Sequence, residues 1–243
     1  MRTLTLSQRT AKEILRDPLN LGFGLGFPTI LLLLLSAMQA NIPVDLFNME
    51  KLSPGIVVFG LSFITLFCAT LIAKDRESAL MQRLYTTPVT PLDFILGYTL
   101  PLMPIALLQS TVCYTVALFL GLTPNVNIIF GILLTLPISV IYISLGLLCG
   151  SALGVKQVGG VCGALLTNIS AWLSGVWFDL ELMGEGFVKF AKLLPFWHAV
   201  ELERGVVAGD FNSAISHLLV ILCYAIVITT AACVIFTRQM KKQ

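Results

Sequence analysis

The chain has 243 residues, of which 57% are hydrophobic and 12% are charged, and its formal net charge is +2. Because soluble domains are about one quarter charged, this composition excludes a soluble globular fold. Six windows are apolar over the roughly 20 residues that a helix needs to cross ~30 Å of hydrocarbon: 19–40, 54–73, 94–121, 128–153, 158–178 and 216–236. The sequence therefore predicts an all-α membrane protein with six transmembrane helices.

The residues before the first span predict an amphipathic helix. Charged side chains recur there at the i, i+3, i+4 and i+7 positions: Arg9, Lys12, Glu13 and Arg16. Much of the other side is apolar, with Leu4, Ala11, Ile14 and Leu15. We expect this helix to lie on the membrane surface with its apolar side in the lipid.

The spans contain no Asp, Glu, Lys, Arg or His near their middle. Ionisable groups are costly in lipid, so they mark proton relays, metal sites and acid–base pairs when they are present. Their absence argues against an ion-coupled carrier and against an intramembrane enzyme.

The segment between the second and third spans predicts a short helix. It runs from Ala73 to Tyr98 and reads AKDRESALMQRLYTTPVTPLDFILGY. As a helix it would have one apolar stripe, made of Leu80, Met81, Leu84 and Tyr85. Glu77 falls within this stripe, so its carboxylate requires a partner, and we expect that partner to be basic. Pro88 ends the helix, and Pro91 is expected to keep the return to the third span extended.

Glycines recur every four residues at the end of the fourth span and the start of the fifth. They are Gly146, Gly150 and Gly154, followed by Gly159 and Gly163. Small residues at this spacing let helix backbones approach closely in lipid. The pattern predicts a tight antiparallel hairpin of spans four and five.

The segment from Asp179 to Ile215 is too long for a plain connector. Apolar side chains recur in it at helical spacing at Phe187, Phe190, Ala191 and Leu194. Pro195 ends this helix, and a second one is predicted from about His198 to Val207, before Gly209. The two helices form either an outer hairpin that dips into the leaflet or a pair that rests on the surface.

The basic residues predict the orientation. Eleven of the 15 Lys and Arg residues lie in the N-terminal segment, the loops after spans two and four, and the C-terminal tail. The positive-inside rule then places both termini in the cytoplasm. We expect one domain over residues 1–243, with a surface helix in 1–18, a six-span bundle in 19–236 and a cytoplasmic tail in 237–243.

Two stretches resemble the permease subunit of type-2 ABC exporters, the group of bacterial drug, antibiotic and polysaccharide exporters. The more specific is KDRESALMQRLYTTPVTPLDFILGYTLP, from Lys74 to Pro101. The weaker is KLLPFWHAVELERGVVAGD, from Lys192 to Asp210. The chain departs from the family pattern at Ser78-Ala79, where members often have Gly-Thr, and at Tyr98, where they often have Lys.

The resemblance implies a division of labour. The chain would be a transport subunit without cofactor or catalytic residues, and a separate ABC ATP-binding subunit would bind ATP and Mg. Two permeases, identical or homologous, would work together in the cytoplasmic (inner) membrane of a bacterium or archaeon. The partners are thus the ATPase, a second permease and lipid, with no nucleic acid.

The resemblance also implies roles for particular residues. Coupling to the ATPase falls on the segment between spans two and three: Glu77, Leu80, Met81, Arg83, Leu84, Tyr85 and Pro88. The pathway falls on Phe59, Phe63, Phe67 and Thr70 of span two and on Asn168 and Trp172 of span five. A path lined by apolar and aromatic side chains favours an amphipathic or hydrophobic substrate.

Two other classes of function stay open at this point. A membrane scaffold or immunity protein would neither transport nor catalyse. An intramembrane enzyme, such as a lipid-modifying enzyme or a protease, is disfavoured by the spans without ionisable residues. A gene for a P-loop ATPase beside this one would separate a permease from both.

The predicted orientation can be tested by cysteine labelling. In a cysteine-free background, a single cysteine at Asn48 or Lys189 should react from outside with a thiol reagent that does not cross the membrane. A cysteine at Gln82 or Lys241 should react only after the cells are opened. Labelling of Gln82→Cys from outside would contradict the orientation.

Overall fold

The computed structural model describes residues 2–43, 47–78 and 90–240. Within these ranges the chain is helical apart from short turns, and they contain no strand. The predicted all-α class is therefore confirmed. The predicted coupling residues Leu80, Met81, Arg83, Leu84, Tyr85 and Pro88 lie outside the described residues.

Five of the described helices are long and apolar enough to cross a membrane. We label the elements in chain order. They are α1 (Arg2–Leu15), α2 (Gly22–Gln39), α3 (Met49–Glu77), α4 (Pro91–Phe119), α5 (Asn127–Ala152), the composite α6 (Val155–Val158, Gly159–Leu166 and Thr167–Leu173), α7 (Glu185–Leu193), α8 (Pro195–Ala208) and α9 (Phe211–Met240). The five candidate spans are α2, α3, α4, α5 and residues Phe211–Arg238 of α9.

The predicted fifth span corresponds to α6, which is helical but not one regular α-helix. Its middle part, Gly159–Leu166, is π-helical and contains three glycines. Glycine has a low helix propensity, which weakens the regular i→i−4 ladder at this point. The helix ends at Leu173 rather than at residue 178.

Helix α4 begins at Pro91, so the extended return predicted for Pro91 is wrong. Thr90 precedes the helix and accepts a hydrogen bond from the Asp93 backbone N–H, while the Asp93 carboxylate accepts one from the Thr90 N–H. This reciprocal cap satisfies N–H groups that a helix start leaves free. Proline fits the first position of a helix because it has no N–H to lose.

Helix α3 is the central element of the fold. Of its most apolar stretch, 89% is buried inside the chain, against 17% for α9. It packs against α2, α4, α5, α6 and α8. A helix that is apolar on all sides is suited to such a position, because every face meets another helix.

The glycines of α5 contact α3 and not α6, so the predicted hairpin of spans four and five is wrong. A Cβ at Gly146 would lie 2.6 Å from Cβ of Cys68, and a Cβ at Gly150 would lie 2.7 Å from the carbonyl oxygen of Ala69. Gly163 of α6 faces Leu66 of the same helix α3. Helix α3 thus lies between the two helices that are neighbours in sequence.

The predicted amphipathic helix is confirmed as α1, which packs against the start of α4. Leu6 and Ile14 are buried, and Leu6 contacts Gly97 where a side chain would not fit. Leu4 and Leu15 stay exposed, which leaves an apolar edge of the kind that surface helices bury in lipid.

The two helices predicted after span five are confirmed as α7 and α8, which form a hairpin at the end of the bundle opposite α1. Helix α8 begins at Pro195, three residues earlier than predicted, because proline occupies its first position. Gly209 ends it in the left-handed region at φ 83°. His198 of α8 and His217 of α9 place their Nδ1 atoms 2.8 Å apart.

The close approach of α5 to α3 generates a stability prediction. Gly150→Ala should lower the free energy of unfolding by about 1–3 kcal/mol, because the added methyl would overlap the backbone of Ala69. Gly159→Ala is the matched control, since nothing lies within 4 Å of its added Cβ. Thermal unfolding in detergent measures both, and equal melting temperatures would contradict the close approach.

Candidate functional site

The candidate site is the last turn of α3. It contains Lys74, Asp75, Arg76 and Glu77 and ends directly before residues 79–89, where the coupling helix is predicted. The predictions for the side chains of that segment stay predictions. The four charged residues before it are described, and three of them bind other helices.

Asp75 is buried, with only 3% of its surface exposed, and it binds Arg9 of α1. The Arg9 Nη1 and Nη2 atoms donate to the two carboxylate oxygens of Asp75 at 2.7 and 2.6 Å. Tyr98 of α4, which is fully buried, donates its hydroxyl to Asp75 Oδ2. Two-pronged bonds between arginine and carboxylate are among the strongest hydrogen bonds in proteins. This cluster therefore joins α1, α3 and α4 at one point.

The neighbouring carboxyl groups of Asp75 and Glu13 stabilise the positive charge of Arg9. Its hydrogen bond to Asp75 raises the pKa of the guanidinium beyond its usual range, and Glu13 lies 2.7 Å from Nη2 on the other side. Burial, followed by the charge of Asp75, raises the pKa of Glu13. Arg9 thus stays charged at any pH at which the protein is folded.

A second polar contact holds α1 on α4. Thr3 donates its hydroxyl to Asp93 Oδ1 at 2.5 Å. The same carboxylate caps the start of α4. The Asp93 carboxylate therefore both caps the start of α4 and binds α1.

Arg76 and Glu77 bind the junction between α5 and α6. Arg76 Nη1 donates to the carbonyl oxygens of Gly150 at 2.9 Å and Leu153 at 3.2 Å. These carbonyls lie at the end of α5, where a helix lacks partners and carries partial negative charge. Glu77 Oε1 accepts a hydrogen bond from the Val155 N–H at the start of α6, at 2.9 Å. The carboxylate predicted to need a basic partner thus binds a backbone amide among the described residues.

This arrangement connects five helices through side chains of one helical turn. The last turn of α3 is bonded to α1, α4, α5 and α6. In the described ranges, no group of three or more His, Cys, Asp or Glu side chains is placed to hold a metal ion.

The predicted pathway residues of α3 lie inside the chain. Phe59, Phe63 and Phe67 are at most 8% exposed. Phe63 contacts Phe27 of α2 at a ring distance of 5.2 Å, and Phe59 contacts Trp177 at 5.5 Å. In the single chain these phenylalanines fill the space between α2, α3 and the end of α6. Thr70 is half-buried.

The predicted pathway residues of α6 lie on its exposed face. Trp172 is 55% exposed, and Asn168 is exposed and donates its amide to the Ala164 carbonyl at 2.8 Å. Their neighbour Ala171 is buried against Phe59 and Phe63. The structure therefore does not bring the two predicted sets together within one chain.

Sequence reasoning missed the partners of Asp75 and Arg76. Their charges were visible as a cluster at the end of a predicted span, and the charged face of α1 was visible as well. Nothing in the spacing indicated that Arg9, 66 positions away from Asp75, would reach it. Tyr98 was visible as a departure from the family pattern, but nothing in the sequence indicated that its hydroxyl would bind Asp75.

Comparison with known proteins identifies one family. Residues 1–208 match the family described as ABC-2 type transporter. The chain is 30% identical over 140 residues to the protein named "Putative transport permease ycf38" of Pyropia yezoensis. The aligned region covers 54% of this chain and 48% of that protein. It is also 30% identical over 152 residues to the protein of the same name from Porphyra purpurea, with 58% and 52% covered. The chain thus spans about half the length of the curated relatives it matches.

The buried cluster around Asp75 generates a double-mutant prediction. Arg9→Met, Asp75→Asn and the double variant should show a coupling free energy of about 1.5–3 kcal/mol, because the bonds are charge-assisted and partly buried. The exposed pair Glu185 and Lys189, 3.9 Å apart, is the control and should give less than about 0.5 kcal/mol. Equal coupling in the two cycles, measured by unfolding in detergent, would show that the cluster does not hold α1.

Proposed function

Because the chain belongs to the ABC-2 type transporter family, we propose that it is the permease subunit of an ATP-driven exporter. Members of this family are transport permeases and not enzymes. ATP and Mg would bind to a separate ABC ATP-binding subunit, and this chain would supply the membrane pathway.

One observation carries this proposal. The last turn of α3 is bonded to α1, α4, α5 and α6 directly before residues 79–89. A permease that is driven by movement of a bound ATPase needs the contacting helix to be rigidly attached to its membrane helices. The buried bonds of Asp75 and the caps formed by Arg76 and Glu77 supply such an attachment.

The coupling element itself would be the segment that follows. Leu80, Met81, Leu84 and Tyr85 would fill a groove on the ATPase, as amphipathic helices do. Arg83 would set orientation by charge, and Pro88 would end the helix. A push on this helix would reach four helices through the last turn of α3.

We propose that the chain has six spans, with α6 as the fifth, in the cytoplasmic (inner) membrane of a bacterium or archaeon. Both termini would then lie in the cytoplasm. Helix α6 is a continuous helical stretch from Val155 to Leu173, which spans nearly the hydrocarbon thickness. The excess of basic residues at the α1 end of the bundle supports the orientation. The hairpin of α7 and α8 would then lie outside.

The pathway would form between two permeases. The exposed face of α6, with Leu165, Ile169 and Trp172, leaves apolar surface for a second permease, lipid or substrate. Asn168 on this face would contribute a polar group to a path that is otherwise apolar. Such a lining suits an amphipathic or hydrophobic substrate.

The test targets the coupling stripe. Replacing both Leu80 and Leu84 by Asp should abolish co-purification of the ATP-binding subunit that is co-expressed with the permease, because two charges would enter an apolar groove. Membrane insertion of the permease should be unchanged.

Gln82→Asp is the matched control, since it adds a charge on the polar side of the same predicted helix. It should leave co-purification and export near the wild-type level. A double variant that binds the ATPase and exports normally would show that this segment is not the coupling element.

A further inference from the structure

Glu203 of α8 is fully buried, although it is a carboxylic acid. Its Oε2 atom accepts a hydrogen bond from the Tyr114 hydroxyl of α4 at 2.9 Å. Its Oε1 atom lies 3.2 Å from the Thr135 hydroxyl oxygen of α5. Glu203 therefore connects α8 to two of the candidate membrane spans.

The carboxyl group has no space for water on its α5 side. A Cβ added at Gly131 of α5 would lie 3.0 Å from Glu203 Oε2 and 3.2 Å from the Tyr114 hydroxyl. The side chain thus packs directly against a helix backbone. An ionised carboxylate in such a place would lose its hydration almost completely.

No cation compensates the carboxyl group within the part of the chain that the structure describes. None of the ion pairs there includes Glu203. Arg204, its neighbour in sequence, binds Glu201 at 3.0 Å and the carbonyl oxygens of Lys51 at 3.1 Å and Gly175 at 3.0 Å. An unpaired buried charge is among the costliest arrangements in a protein.

The other titratable groups around α8 have partners of their own. On α8, His198 binds His217 of α9 and the Lys192 carbonyl of α7. The Lys192 ammonium group lies over the Trp197 ring. Among the described residues, the side chains that form hydrogen bonds with Glu203 are Tyr114 and Thr135, both hydroxyl groups.

The hydroxyl groups around Glu203 can accommodate a proton on its carboxyl group. Thr135 has one hydroxyl proton and three oxygen neighbours: the Gly131 carbonyl at 3.1 Å, Ser110 Oγ at 3.0 Å and Glu203 Oε1. A protonated Glu203 can donate to Thr135, which leaves the Thr135 proton for the Gly131 carbonyl. An ionised Glu203 would have to compete with that carbonyl for the same proton.

We propose that Glu203 is a proton-binding site whose protonated form holds α8 against α4 and α5, and that loss of this proton to water releases α8. The inference does not depend on the proposed function. It identifies the proton as a ligand of the α7–α8 hairpin. Because Arg204 on the same helix binds the start of α3 and the residue Gly175 after α6, release of α8 would loosen that whole end of the bundle.

The sign of the pH dependence follows from burial. Burial raises the pKa of Glu203 to about 8 from the ordinary value of 4.5, and the bonds from Tyr114 and Thr135 lower it by less. When α8 is released, Glu203 would be exposed to water and would have its ordinary pKa. The stabilisation is thus complete below pH 4.5 and is lost as the pH rises through about 8. Between these values the equilibrium shifts about tenfold toward release per pH unit.

Infrared spectroscopy tests the proton directly. The purified full chain at about pH 6 should show the carbonyl band of a protonated carboxylic acid, which disappears on titration through about pH 8. The band should be absent in Glu203→Gln and retained in Glu201→Gln. A wild-type spectrum without a band that Glu203→Gln removes would overturn the proposal.

Thermal unfolding tests the link to stability. The melting temperature of the wild type should fall between about pH 6 and about pH 9, and Glu203→Gln should reduce this fall to less than half. The amide has the shape of the protonated acid and cannot ionise. Glu201→Gln should behave as the wild type, and an equal fall in all three proteins would overturn the proposal.

A second variant covers the case in which Glu203→Gln does not fold. Tyr114→Phe removes a hydrogen bond that lowers the pKa of Glu203. The infrared titration should therefore move to higher pH in this variant. A titration that stays at the wild-type position would show that the band does not come from Glu203, and the proposal would fail.

Discussion

The buried carboxylate of Asp75 imposes the constraint on which the α1 end of the structure depends. A carboxylate with 3% of its surface exposed must be paired, or its desolvation would outweigh the packing around it. Arg9 and Tyr98 supply that pairing from α1 and α4, so both helices are held against the end of α3. The next two residues, Arg76 and Glu77, then reach the end of α5 and the start of α6. Three consecutive charged residues thereby form a junction of five helices.

The two ends of the bundle solve the problem of a buried acid in different ways. At the α1 end, the carboxyl group of Asp75 is paired with the guanidinium of Arg9, whose pKa is raised beyond its usual range by this bond. At the α8 end, the hydrogen-bond partners of Glu203 in the described part of the chain are hydroxyl groups, and the proposed proton would neutralise the acid there. In the proposed function, the arginine contact would support the element that transmits force. The proposed proton on Glu203 would allow α8 to be released when the proton is lost.

The sequence predicted the elements that depend on local pattern. Helices α1, α7 and α8 were predicted because periodic charge and apolar spacing are properties of a single helix. The glycines of α5 were recognised as a close-packing surface, but the partner was wrong, because a stripe of small residues does not specify which helix approaches it. Neighbours in sequence are a reasonable first choice, and here α3 lies between them. The break in α6 was also missed, since apolar composition alone does not distinguish an α-helix from a π-helical stretch.

The sequence by itself determined the class of the protein, its long apolar helices, its amphipathic N-terminal helix and the family it resembles. These features are set by hydrophobic length, by helical period and by a contiguous motif, all of which are read along the chain. Only the tertiary structure decided that Arg9 pairs with Asp75 and that Glu203 meets Tyr114 and Thr135. These partners lie between 66 and 89 positions apart, and the packing of whole helices places them together. A charge in the sequence shows that a partner is required, and the fold determines which residue meets that requirement.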